Sequence, residues 1–220
     1  MKRVFAILTV LAVLFSCSSG LSETILRDVM GTTDAEKGTY TNSFFGIGCS
    51  NPNWDYYRDE EILSLNEFTE ESMETDLKTI IKYGKNVILM MAVPDTFDAL
   101  DCVVIGVSKF VSWSVRELIK KAGLEAALPG LRYDIIKQYQ SYGMEDVEVQ
   151  TDTVTIDGRD EAAFVVQFTN KGSPVRFVDV IVPYDDCFVI IEATAAYGDI
   201  EDAKTAFSSF YWLNEPEIQP

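Results

Sequence analysis

From Gly143 onward the apolar residues fall on every second position, and that period limits the fold more than any other feature of this 220-residue chain. Val147 to Ile156 and Ala162 to Phe168 flank Asp157-Gly158, a two-residue hairpin signal in which both turn positions take positive φ. Asn170-Lys171-Gly172-Ser173 then turns into Val175 to Val182, and Tyr184-Asp185-Asp186 turns into Cys187 to Thr194. Four strands joined by connections this short form an antiparallel meander. A doubly wound parallel sheet would need a helical crossover between each pair of strands.

The preceding residues mix both periods. Phe44 to Cys49 reads as a short strand, Asn51-Pro52-Asn53 as a turn, and a second strand is expected around 56–64. Met73, Leu77, Ile80 and Ile81 share one face of a helix predicted over 67–83, with Gly84 as its C-terminal cap. Val87 to Val93 is a continuous apolar run expected as a central strand, and Cys102 to Val107 a second buried strand. Two helices are predicted at 112–122 and 131–142, separated by Leu128-Pro129-Gly130. A last helix over about 199–211 begins with Asp199, Glu201 and Asp202, where the helix dipole favours negative charge, and buries Ile200, Ala203, Phe207 and Phe210. The fold class is α+β, one domain over 40–213, with a tail over 214–220. Residues 17–39, rich in Ser, Thr and Gly and without sustained period, are expected to be a flexible tether.

The segment Tyr40…Phe44-Phe45-Gly46-Ile47…Pro52-Asn53-Trp54 resembles the opening of the PsbP-like superfamily. The order of the later elements is also similar: a helical middle, a hairpin at Thr155-Ile156-Asp157-Gly158, the meander, and a terminal helix ending in Ser209-Phe210. The resemblance spans about residues 40–213 and implies an antiparallel central sheet sandwiched by helices in α/β/α layers. That superfamily includes a photosystem extrinsic subunit, a nuclear factor acting on the Ran GTPase, and many bacterial lipoproteins. The metal-binding histidines of the photosystem branch have no counterpart here, and no functional residue is carried over. Shared fold does not by itself carry function.

The N-terminus reads as an export signal. Met1-Lys2-Arg3 is basic, Val4 to Phe15 is apolar apart from Thr9, and Ser16-Cys17-Ser18-Ser19-Gly20 is small and polar. Twelve residues of helix span about 18 Å, short of the ~30 Å hydrocarbon core, so 1–16 is a signal peptide rather than a spanning helix. Leu14-Phe15-Ser16-Cys17 looks like a bacterial lipobox, in which Cys17 is acylated and becomes the new N-terminus; Phe15 departs from the pattern's preference for a small residue. Cleavage after Ser18 is the alternative and would release a secreted protein. Acyl chains contribute about 0.8 kcal/mol per buried methylene, so two or three anchor a protein stably.

Charge and composition then narrow the chemistry. With 18 basic and 35 acidic residues the chain carries −17, and loss of Lys2 and Arg3 with the leader leaves −19. Nucleic acid is excluded as a partner, because phosphate binding needs a basic surplus. An anionic lipid surface repels such a body, so the membrane is reached only through the lipid anchor. No histidine is present, which removes Ser-His-Asp and Cys-His nucleophiles and His-ligated metal. Cys49, Cys102 and Cys187 are an odd set, expected as buried thiols in strands, with one disulfide plus one free thiol as the alternative. No phosphate loop, GxSxG elbow or Ser-x-x-Lys occurs, and Asp152 to Asp160 reads as a hairpin tip rather than a calcium loop.

Three functions compete. A non-enzymatic binding or assembly module at the outer face of the cell membrane, with a protein or small-molecule partner, is the reading that Cys17 and the missing nucleophile sets favour. No catalytic residue, cofactor site or metal site is assigned under it. A secreted carboxylate-dependent hydrolase would need two carboxyl groups about 5–10 Å apart in an aromatic cleft. The candidate acids Glu60/Glu61, Glu145/Asp146 and Asp185/Asp186 are adjacent in sequence and diverge on a strand; Trp54, Tyr56, Tyr57 and Trp113 are the candidate aromatics. A divalent-cation buffer using surface carboxylates is the third.

Overall fold

The computed structural model describes residues 24–82, 86–94, 101–109, 113–184, 187–195 and 198–213. Cys17, the leader, Gly84, Asp185 and Asp186 therefore lie outside the described residues, as does the side chain of Trp113. None of the described helices is long and apolar enough to cross a membrane.

The meander forms as the period predicts. Strands β7 (Glu145–Ile156), β8 (Arg159–Asn170), β9 (Ser173–Tyr184) and β10 (Cys187–Thr194) are antiparallel neighbours. Asp157 and Gly158 take φ of 51° and 75°, and Lys171 and Gly172 repeat the pair at 50° and 80°, which is the twist a two-residue hairpin needs. The meander is one side of a larger sheet. On its other side come β6 (Cys102–Lys109), β5 (Val87–Pro94) and β4 (Trp54–Tyr56), in the order β4-β5-β6-β10-β9-β8-β7. Strand β10 is buried at every residue, which its near-continuous apolar run CFVIIEAT anticipates. The run at Val87 to Val93, expected at the centre, is second from the edge.

A second, four-stranded antiparallel sheet goes beyond what the sequence periods announce. It runs β1 (Thr32–Asp34), β2 (Thr39–Asn42), β3 (Ile47–Ser50) and β11 (Phe210–Trp212). Its first strands overturn the boundary at Tyr40: the folded body includes residues from Thr24 on. Helix α1 (Leu26–Val29) buries Leu26 and Val29 completely, Ile25 bridges Asp76, and Asn42 donates to the Val29 carbonyl at 2.8 Å. Threonine-rich chain can be strand as readily as tether, and here Thr32 to Asp34 pair with Thr39 to Thr41.

Four helix boundaries also differ from expectation. The strand at 56–64 ends at Tyr56 and gives way to α2 (Asp59–Leu65), whose Glu61 carboxylate accepts the Arg58 N–H at 2.8 Å. The long helix over 67–83 is a single 3-10 turn at Ser72–Glu74 and then α3 (Leu77–Lys82), because Thr75 is extended and Asp76 accepts N–H groups of Lys78 and Thr79. The break between α4 (Trp113–Ala122) and α5 (Leu124–Ser141) falls at Gly123, with φ of 82°, and α5 carries Pro129 inside its second turn. There Pro forfeits one hydrogen bond to a carbonyl near the helix start, and the burial of Ala127, Leu131, Ile135 and Tyr139 outweighs that loss. The terminal helix α6 (Ile200–Ala206) ends in a 3-10 turn so that Phe210 to Trp212 can pair with β3.

Both faces of the large sheet are packed. On one, Phe164, Phe177 and Phe188 meet Leu131, Ile135 and Tyr139 of α5. On the other, Val178, Val189 and Ile191 share a core with Ile47, Cys49, Phe207 and Phe210.

Candidate functional site

Two polar features stand out from this apolar frame, one on each face of the meander. Hairpin register creates both.

The first is a groove of about 260 Å³ on the face that carries α6. The register set by Asp157-Gly158 places Glu148 opposite Gln167, and the turn at Lys171-Gly172 places Gln167 opposite Arg176. An acid, an amide and a guanidinium therefore lie in one row across β7, β8 and β9, about 4.8 Å from strand to strand. Gln167 Nε2 donates to Glu148 Oε2 at 2.6 Å. Gln150 and Val165 form the next row, and Asp199 and Ile200 at the start of α6 complete the lining. Arg176 is half-buried, and among the described residues its side chain bonds only the Gly198 carbonyl, to which it donates at 3.4 Å. No carboxylate among the described residues ion-pairs with it, in a chain holding 35 acids. A guanidinium presents five N–H donors, so most of its bonding capacity remains for an anion.

The second feature is a carboxyl pair inside the core. Asp179 on β9 and Glu192 on β10 are directly opposed, in a row that continues to Val104 and Met91 on one side and Phe164 on the other. Glu192 is 2% exposed and accepts a hydrogen bond from Thr194 Oγ1 at 2.8 Å. Asp179 is less enclosed, but its Oδ1 is shut off from solvent and has no hydrogen-bond partner among the described residues. Burial favours the neutral form of each, and two carboxylates this close cannot both ionise cheaply. Glu192 is accordingly pushed up to about 8 by desolvation, and Asp179 is held well above the usual carboxylate range by burial first and by Glu192 second. Burial raises the Tyr139 hydroxyl on the overlying helix as well. Chemically this is a buried carboxyl pair in which burial favours the protonated form of each. With Glu192 so enclosed, a substrate has no evident approach to it.

Of the acids singled out from sequence, the described ones are not brought together. Glu60 and Glu61 are exposed in the first turn of α2, and Glu145 and Asp146 are exposed at the start of β7. Trp54 and Tyr56 are core residues, Tyr57 is half-buried, and none lines the groove. Trp212 is partly buried against the core that includes Phe207 and Phe210. The three inner cysteines are free and fully buried rather than bridged, and burial pushes the Cys49 thiol up to about 12. Among the described residues, no three acids or cysteines gather as metal ligands.

Sequence reasoning misses Asp179, Glu192 and Arg176, although the strands that hold them carry a signal. An acid inside a fully apolar strand (Ile191-Glu192-Ala193) has to be buried, and counting outward from each turn gives its cross-strand partner. No protein-family model matches the chain, and no curated protein matches it either, so what can be said of its role rests on these residues.

Proposed function

We propose that this chain is an exported lipoprotein, anchored through acylated Cys17 at the outer face of the cell membrane, whose folded body is a non-enzymatic binding module. The observation that carries the reading is the junction Leu14-Phe15-Ser16-Cys17 after a basic start and a twelve-residue apolar stretch. The groove at Arg176 supplies a place to bind, and the absence of a nucleophile-and-base set from the sequence argues against catalysis. The reading includes a PsbP-like layering of the body, with the seven-stranded sheet between helices. Helix α5 packed on one face and α6 on the other support it.

Detergent phase partitioning of the full chain expressed in a bacterial host tests the anchor. The wild type enters the detergent phase and Cys17→Ala stays aqueous; equal partitioning of the two defeats the proposal. A secreted carboxylate-dependent hydrolase is the second reading, and Asp179 with Glu192 gives it a closely placed acid pair. It requires a hydrolytic activity that Glu192→Gln abolishes while the fold persists. The enclosure of Glu192 favours the binding module.

A further inference from the structure

We infer that the groove across β7, β8 and β9 binds a small zwitterion of about dipeptide size, its carboxylate on Arg176 and its amine on Glu148. This rests on the reading of the body as a binding module and names what it binds.

The charges are placed for such a ligand. Arg176 and Glu148 sit on strands two apart with Gln167 between them, so their backbones are about 10 Å apart. No ion pair joins the two, and each keeps its charge for something else. A free amino acid holds its ammonium and carboxylate too close together to meet both. An extended dipeptide carries its termini farther apart, and the side chains of Arg and Glu cover the remainder. Asp199 also lines the groove, but its carboxylate caps α6 by accepting the Glu201 N–H at 3.2 Å. A simple anion would be repelled by Glu148, by Asp199 and by the −17 of the chain as a whole, and a simple cation would leave Arg176 without a counter-charge. A ligand carrying both charges satisfies both ends. Gln150 and Gln167 can hydrogen-bond the peptide group between them, since each amide both donates and accepts. Val165 and Ile200 offer apolar contact for a small side chain in a groove of about 260 Å³.

The same register explains why the groove stays open. Arg176 is tied back only weakly, to Gly198, while Gln167 and Glu148 hold each other at 2.6 Å and fix the acid at the far end. One end is therefore preformed and the other is a long side chain free to close on a carboxylate.

Isothermal titration of the full mature chain with L-alanyl-L-alanine, its N-acetyl derivative and its C-terminal amide is the test. The free dipeptide should bind, and blocking either terminus should weaken binding about tenfold or more, because a charge-assisted contact is lost each time. Arg176→Gln should abolish the preference for a free carboxylate and Glu148→Gln the preference for a free amine, with melting temperatures close to the wild type. No binding of the dipeptide at 10 mM (roughly the weakest affinity such contacts leave) overturns the inference. So does binding that ignores the blocked termini, or a carboxylate preference that survives Arg176→Gln. The wild-type comparison needs no variant, so a misfolded mutant cannot hide the answer. Because the anchor is read separately by phase partitioning, a failed titration with intact anchoring rejects this ligand and not the lipoprotein.

Discussion

Glu192 is where a single side chain governs the behaviour of the body. Its carboxyl sits on an all-buried strand opposite Asp179 and stays protonated to about pH 8, against 4.5 for a free glutamate. Over that interval the folded chain holds a proton that the unfolded chain has released. Stability attributable to this group is therefore full below about pH 4.5, falls as pH rises, and is lost once the folded group ionises near pH 8. Glu192→Gln keeps the acceptor for Thr194 and removes the titration. We expect it to leave stability near pH 5 little changed and to raise it by on the order of a few kcal/mol at pH 9. Denaturant unfolding of both proteins at the two pH values checks this, and parallel pH profiles would place the proton elsewhere. Arg176 is the complementary case: a charge left half-exposed in an acidic chain and without an ion-pair partner among the described residues, which suits it for a ligand rather than for the fold.

At the scale of elements, the meander is legible in the sequence and the first sheet is not, for a physical reason. Asp157-Gly158 and Lys171-Gly172 fix both turn type and register, so strand partners are found by counting from the turn. The groove row and the Asp179–Glu192 pair are within reach of that count; reading the strands for apolar pattern alone hides them. Nothing comparable marks residues 24–42, where a four-residue helix and two short Thr-rich strands acquire their stability from distant partners such as Thr75, Asp76 and Ile47. Pro129 misleads for the converse reason, since the break it predicts falls at Gly123 instead. Two substitutions test these assignments. Leu26→Ala removes a fully buried side chain and should cost about 2–5 kcal/mol in unfolding, where a tether residue would cost nothing. Gly158→Val puts a β-branched residue at φ of 75° in open space, so its cost, about 1 kcal/mol or more, is backbone strain alone; an unchanged melting temperature would contradict the turn.

For the whole molecule, the proposed function joins the charge to an anchor. A mature chain carrying −19 after loss of Lys2 and Arg3 is repelled by anionic lipid, so only a covalent anchor would keep it at such a surface. Under the proposed function, acyl chains on Cys17 would provide it, seven positions before Thr24, where the described residues begin. Under that reading the groove would be presented close to the membrane. Mass spectrometry of the mature N-terminus, compared between the wild type and Cys17→Ala, tests this account most directly. The account predicts a first residue of Cys17 carrying diacylglycerol in the wild type, and an unprocessed or unacylated chain in the variant. A wild-type chain that begins at Met1, or at Ser19 without lipid, would contradict it.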